Sequence, residues 1–474
     1  MGDEGKTLKK LVVCPRAKLT VIPAVPGQLS KIHPLSLLDH MMGVHNLRIV
    51  FYYKTPRNKE EGLRHESLKE ALSETLSSYP IVTGRLKGGN EEGRWEVQCN
   101  DAGVRVVEAK VEGTVEDWLE RAEAADEEGL TYWEKMPEDP CFWSTFYVQL
   151  TQFEGGGFAI GLSCTHLSAD PTSATLLIKA WSEIHRRKAI STPPFFHAYA
   201  LSPNPQILTV HTPATHLLHS KLTAQNTPQN FGENYPSATF HFPPSSVRTL
   251  ISKIEEETKL QVTPFEALAA LFWVASTRSH HTDSYTESIC LCTEFRRLLQ
   301  VPLPQGYFGN ALHFSEVSEK RANLARYNSG LALAARLIHE DQDKAKEEEI
   351  WSVINWLAAR KSDSGRSSSP FPIYGPGLTV ANFEGVMSYN AVFTEGDRPL
   401  HVSYRVEPVV GEGMVLVLPS DEGDFGRIVV VTLQGDRLSR LRKDKEVSGL
   451  GPKIPSNQKA RPEMFHADPI KKKK

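Results

Sequence analysis

One histidine in this chain has neighbours that suit proton transfer. In Ser163-Cys164-Thr165-His166-Leu167-Ser168-Ala169-Asp170-Pro171, an apolar run ends just before His166, and Asp170 and Pro171 follow it. Phe158 to Cys164 reads as a buried strand. Ser173 to Arg187 places Ala174, Leu177, Ile178, Trp181 and Ile184 on one stripe and reads as an amphipathic helix. His166 therefore sits on a strand–loop–helix connection, from which a side chain can reach a cleft. An imidazole with an ordinary pKa of about 6.5 can take a proton from a hydroxyl or an amine near neutral pH. Asp170 before Pro171 also has a local meaning. Asp is a favoured helix N-cap, Pro suits the first helical position, and Pro pushes the residue before it out of helical geometry. The HxxxD spacing alone is common, and Asp170 can cap a helix whether or not His166 does chemistry.

Other constellations are weaker. The seventeen histidines form no HExxH or comparable pattern, so no metal is expected, and His280-His281 lies in a polar stretch that reads as solvated. The six cysteines are scattered. Cys290-Leu291-Cys292 is a CxC inside an apolar run, without zinc-ribbon spacing. They read as reduced, buried thiols of a cytosolic protein.

The 474 residues suggest two sizeable domains, or three. Apolar residues at 40% and charged residues at 23% supply an ordinary globular core. A net charge of −3 carries no basic stripe for nucleic acid and no broad attraction to anionic lipid. No run approaches the roughly 18 apolar residues of a membrane span. Met1 to Thr7 is polar, which predicts no signal peptide, and Lys6 breaks the myristoylation pattern. The tail Lys471 to Lys474 reads as solvated, with an ER-retrieval or membrane-surface signal as the other reading.

The pattern along the chain predicts strands at Leu47–Tyr53, at Trp95–Gln98 paired with Val104–Ala109, and at a hairpin of Phe146–Phe153 with Phe158–Cys164. Helices are expected at Glu66–Ser78 and Val115–Ala125. From about 190 to 235, Pro, His, Asn, Thr and Ser dominate without periodicity, as in a long crossover. The second half offers strands at Ala238–Phe242, Ser288–Thr293, Leu378–Ala381, Met414–Leu418 and Arg427–Leu433. Its helices are expected at Ser245–Glu257, from Pro264, at Ala322–Ala345 and at Glu349–Arg360, with a mobile Ser-rich stretch at Lys361–Pro370. The expected class is α/β (mixed α+β) with two mixed-sheet domains, 1–190 and 236–462, a linker at 191–235 and a basic tail at 463–474.

With these residues in view, the chain resembles the plant BAHD acyl-CoA-dependent acyltransferases over almost its whole length. His166 and Asp170 match the family's HxxxD, while Pro171 stands where a Gly is usual. Pro302-Leu303-Pro304-Gln305-Gly306-Tyr307-Phe308-Gly309-Asn310 carries the YFGN signature, and Glu294-Phe295-Arg296 the acidic-x-Arg element. Leu35 to Asp39, Ser78 to Leu86, Thr263 to Glu266 and Val417 to Ser420 also look like family segments.

The resemblance implies a chloramphenicol-acetyltransferase-like fold of two similar-sized domains. It implies His166 as general base, Asp170 as a structural partner of Arg296, and Tyr307, Gly309 and Asn310 as support for the site. Acyl-CoA would be a co-substrate, with no bound cofactor. Acyl-CoA and a small alcohol or amine would enter a channel between the domains from opposite faces. A cytoplasmic monomer is expected.

One element departs. The family's DFGWG falls on Val392-Phe393-Thr394-Glu395-Gly396, where only Phe393 and Gly396 match. Asp424-Phe425-Gly426 lies too late to replace it and has no kinase context. The same loss is seen in the Eceriferum-type wax-biosynthesis subgroup. This chain is similar to that subgroup at Gln98–Ala109, Tyr147–Phe153 and Ser202–Pro205. That likeness implies a second role: an accessory protein that assists a very-long-chain fatty acid elongase at the cytosolic face of the endoplasmic reticulum, without acyl transfer of its own.

Overall fold

The computed structural model describes residues 11–453 except 28–30, 55–62, 90–93, 123, 205, 207–210, 225–234, 280–284, 328, 345 and 361–370. The readings of Met1–Thr7, His280-His281, Lys361–Pro370 and Lys471–Lys474 lie outside the described residues.

In chain order the strands are β1 (Val13–Val21), β2 (Lys31–Pro34), β3 (Asn46–Tyr53), β4 (Arg85–Gly88), β5 (Trp95–Cys99), β6 (Val104–Val111), β7 (Phe146–Phe153) and β8 (Phe158–Thr165). The second half supplies β9 (Ser237–Phe242), β10 (Thr286–Glu294), β11 (Leu312–Lys320), β12 (Leu378–Asn382), β13 (His401–Glu407), β14 (Met414–Pro419) and β15 (Arg427–Thr432). Two six-stranded mixed sheets result, ordered β1-β6-β7-β8-β3-β13 and β11-β10-β12-β14-β15-β9, beside a small sheet β2-β5-β4. The two-domain α/β expectation is borne out. One strand crosses between halves: β13 pairs antiparallel with β3, from His401 against Tyr52 to Glu407 against Asn46.

Strand periodicity explains the layering. Successive side chains point to opposite faces, so a strand covered on both faces must be apolar throughout. Strand β14 shows this. Met414, Leu416 and Leu418 join the core that spans both sheets, while Val415 and Val417 join the core behind the second sheet. Strand β10 divides in the same way, with Cys290 and Cys292 facing the shared core and Ile289 and Leu291 facing away from it. All six cysteines are free, but the expectation that they are buried holds only for Cys99, Cys164, Cys290 and Cys292; Cys14 and Cys141 are exposed, in the edge strand β1 and in the turn before β7. The second core packs beneath the helices Pro244–Thr258, Pro264–Ser279 and Ser329–Gln342. Among the described residues no helix is long and apolar enough to cross a membrane.

Several local expectations need correction. Strands β5 and β6 do not pair with each other. Both edges of β5 are taken by β2 and β4, and both edges of β6 by β1 and β7. The long helix expected at Ala322–Ala345 is two helices, Arg321–Leu324 and Ser329–Gln342. The second begins where Gly330 passes so close to Leu324 that a Cβ would lie 2.1 Å from its carbonyl oxygen. The crossover contains a helix, Pro213–Thr223, whose N-cap Thr212 accepts from Thr215 N and whose first residue is proline. That helix carries the start signals sequence reading uses.

Candidate active site

Strand β8 is buried along its whole length and delivers His166 one residue past its end. The His166 N–H donates to the His45 carbonyl at 2.8 Å, which ties the loop to the chain just before β3. Four residues on, Asp170 is extended and caps the helix Pro171–His185, its Oδ1 accepting from Ser173 N at 2.8 Å. The cap therefore forms as the Asp-Pro dipeptide predicts.

The same carboxylate receives a fork from the other half of the chain. Arg296 Nη1 lies 2.8 Å from Asp170 Oδ2, and Nη2 lies 3.0 Å from Oδ1. Both side chains are almost wholly buried, at 5% and 0% exposure. Burial alone would push the Asp170 carboxyl up, but the Arg296 guanidinium and the hydrogen bonds outweigh it and hold it below its usual range. Arg296 also donates to the Gly309 carbonyl at 2.9 Å and the Tyr307 carbonyl at 3.2 Å. Its guanidinium lies 5.6 Å from the centre of the Tyr307 ring. Ser173 Oγ completes the junction, accepting from Gly309 N at 3.1 Å. Gly309 has a φ of 149°, which favours glycine, and a Cβ there would come within 3.4 Å of Asp39 Oδ1.

Asn310 joins this frame to the histidine. Its Nδ2 donates to the His166 carbonyl and to Asp39 Oδ1, both at 2.8 Å, and its backbone N–H also reaches Asp39 Oδ1. Asp39 is fixed in turn by a capping box with Ser36. Sequence reading found Asp39 only as part of a family segment. It did not find His45, Ser173 or Tyr374. Ser36-x-x-Asp39 is a capping signal that marks Asp39. Tyr374, in a Pro/Gly-rich loop, carries no periodic signal.

His166 is fully buried, and its Nε2 faces the Tyr374 hydroxyl at 3.0 Å. Burial pushes the imidazole down to about 4, partly offset by the nearby Asp170 carboxylate. The ring is therefore uncharged at neutral pH. If His166 is the base, kcat/KM should stay flat from pH 8 down to pH 5. An unperturbed histidine would lose about thirty-fold at pH 5, from its pKa of about 6.5. A pH–rate profile with its limb near 6.5 would contradict the buried, neutral ring.

The degenerate segment lies elsewhere. Phe393 packs edge-on against Trp181 at 5.1 Å and Tyr53 at 5.6 Å, and its carbonyl accepts from His185 Nδ1 at 2.9 Å. Val392 precedes it. Glu395 is on the surface, paired with Arg186 and Lys188, and Gly396 turns with a φ of 77°. These contacts hold the far end of the helix that Asp170 caps, roughly 22 Å away along a helix of 15 residues at 1.5 Å each. Phe393→Ala should therefore act on stability, costing about 3–5 kcal/mol in urea unfolding. A change under about 1 kcal/mol would show that the segment is not an anchor.

A small cleft lies between the sheets, lined by Arg48 and Val50 of β3, Ser403 and Arg405 of β13, Thr239 of β9 and Val430 of β15. Arg48 pairs with Ser163 in the sheet, three residues short of His166. Among the described residues no group of three or more His, Cys, Asp or Glu could hold a metal ion.

Solved structures share this fold. Vinorine synthase superposes with a TM-score of 0.71 at 17% identity, over 92% of this chain and 98% of that one. TRI101 of F. sporotrichioides, solved with coenzyme A and T-2, gives 0.69 at 16%, over 89% and 99%. The fold is thus that of the two-domain, chloramphenicol-acetyltransferase-like transferases. The chain belongs to the Transferase family, whose profile matches residues 11–448, and the BAHD membership expected from HxxxD and YFGN is borne out. Among curated proteins, a hydroxycinnamoyltransferase of Narcissus pseudonarcissus is 25% identical, over 83% of this chain and 90% of that protein. ECERIFERUM 2 of Arabidopsis thaliana is 26% identical, over 90% and 96%. Both resemblances seen in the sequence therefore hold, and acyl-CoA-dependent acyl transfer is the activity of the family.

Proposed function

We propose that this chain moves an acyl group from acyl-CoA to a hydroxyl or amine, with His166 as the general base. Nε2 takes the proton as the acceptor attacks the thioester carbonyl. The tetrahedral intermediate then breaks its C–S bond, and the protonated histidine gives its proton to the departing CoA thiolate. Asp170 and Arg296 hold the histidine loop to the second half of the chain, and Tyr307, Gly309 and Asn310 complete that hold. The observation that carries the reading is the convergence of both halves on one buried, neutral imidazole. The two units are 1–190 and 236–462, with β13 lent by the second to the first. Hydroxycinnamoyl groups are the first donors to try, because several relatives are named as hydroxycinnamoyltransferases.

A second reading has two specific supports. The usual Asp and Trp of DFGWG are absent, and the likeness to ECERIFERUM 2 covers nearly the whole chain. In that reading the chain assists a fatty acid elongase at the cytosolic face of the endoplasmic reticulum. A panel of aliphatic and hydroxycinnamoyl CoA donors with alcohol and amine acceptors separates the two. Acceptor-dependent CoA release supports the transferase. No release from the folded protein across the panel favours the accessory role.

A further inference from the structure

The oxygen nearest the base is the protein's own. A general base must hold the hydroxyl it deprotonates at about 2.6–3.2 Å. Tyr374 Oη, 3.0 Å from His166 Nε2, stands at that distance, and both residues are fully buried. In the tautomer a base needs, Nε2 carries the lone pair and the phenol donates to it. An acceptor hydroxyl needs the same lone pair, so the two compete. The Tyr374 ring sits edge-on against His45 at 4.8 Å and Phe314 at 5.7 Å. Its backbone belongs to no strand. It lies in the loop that leads into β12, tied to the helix Pro213–Thr223 where Lys221 Nζ donates to the Gly375 carbonyl at 2.5 Å.

Water could use that lone pair as well. A water molecule between the base and a bound thioester would hydrolyse the acyl group. We propose that Tyr374 holds the acceptor's place on His166, keeping water off the base until an alcohol or amine displaces its hydroxyl, and so sets the choice between acyl transfer and hydrolysis. The proposal rests on His166 being the base of the reaction above. Tyr374 acts through His166 and is a positioning residue. Burial pushes its phenol well above the usual 10, so it remains a protonated donor at working pH.

The first test needs no turnover. Diethyl pyrocarbonate modifies free imidazole nitrogens, and peptide mapping of the full chain reads each histidine. His166 should label about ten-fold faster in Tyr374→Ala than in the natural chain, the size expected when one hydrogen bond of about 1.4 kcal/mol no longer has to break. Tyr374→Phe keeps the packing and should also label faster. His219, exposed on the helix Pro213–Thr223, is the internal reference. Equal labelling of His166 in all three proteins overturns the proposal, whether or not the protein turns over.

The second test reads the ratio of free acid to ester or amide from acyl-CoA with an accepted alcohol or amine. That ratio should rise about ten-fold in Tyr374→Ala, for the same lost hydrogen bond. An unchanged ratio, or a loss of both products of about a hundred-fold or more in Tyr374→Phe, overturns it. The second of these would place the hydroxyl in the proton transfer itself. If none of the proteins releases CoA, the proposed reaction fails, and the labelling still decides the place of Tyr374.

Discussion

Arg296→Ala is expected to destabilise the protein by about 3–5 kcal/mol, read as a lower urea midpoint at unchanged slope. The magnitude comes from what is left behind. Asp170 stays fully buried with no opposite charge, and the carbonyls of Gly309 and Tyr307 lose a donor. The histidine loop, the YFGN segment and the end of β10 lose the one side chain that bonds to all three. Arg296→Lys should fall between the natural chain and the alanine variant. A single ammonium cannot reproduce a two-pronged contact with a carboxylate while also serving two carbonyls. Combining Asp170→Asn with Arg296→Ala should cost less than the sum of the two single changes, since the buried charge goes with its partner. A loss under about 1 kcal/mol for Arg296→Ala would mean that the pair is not the clamp described here.

His166→Ala is expected to lower kcat/KM for acceptor-dependent CoA release by about 10²–10⁴-fold. In the proposed reaction the imidazole alone moves the proton. Because the ring is buried and bonded to Tyr374, its removal also leaves a small void. His166→Gln fills more of that space and should lose a similar factor. A large loss in both variants, with melting temperatures near that of the natural chain, would separate chemistry from unfolding. A loss of less than about ten-fold would move the base elsewhere.

What was legible in the sequence followed from short-range rules. The hairpin β7–β8, the helix capped by Asp170, and five of the six strands of the second sheet announce themselves by apolar runs, turn residues and an Asp-Pro start. Strand β13 did not. It alternates buried and half-exposed residues and belongs to the sheet of the other half, a choice made by the free edge of β3. Strand β11 was missed as well. Its outer residues are polar, and only pairing with β10 from Thr286–Lys320 to Glu294–Leu312 fixes it. In the site, His166, Asp170, Arg296 and Asn310 were legible because their motifs could be read together. Asp39, His45 and Tyr374 were not, because what makes them matter is contact across 271, 121 and 208 residues of chain, with Asn310, His166 and His166 respectively.

The degenerate DFGWG position also reads differently in three dimensions. Phe393, which survives, is the residue that packs against Trp181 and His185. Glu395, where a Trp is usual, points to solvent and pairs with Arg186 and Lys188. The loss at Glu395 therefore falls on the outside of the anchor, and the buried contact that holds the end of the helix is kept.

The most direct test weighs the product. The natural chain and His166→Gln, at equal folded concentration and pH 7, would be given acyl-CoA with and without an alcohol or amine, and both free CoA and the ester or amide would be measured. With His166 as the base, one product forms per CoA released, only with acceptor present, and falls by about 10²–10⁴-fold in the variant. Product formed equally by both proteins, or by neither while both are folded, would contradict it.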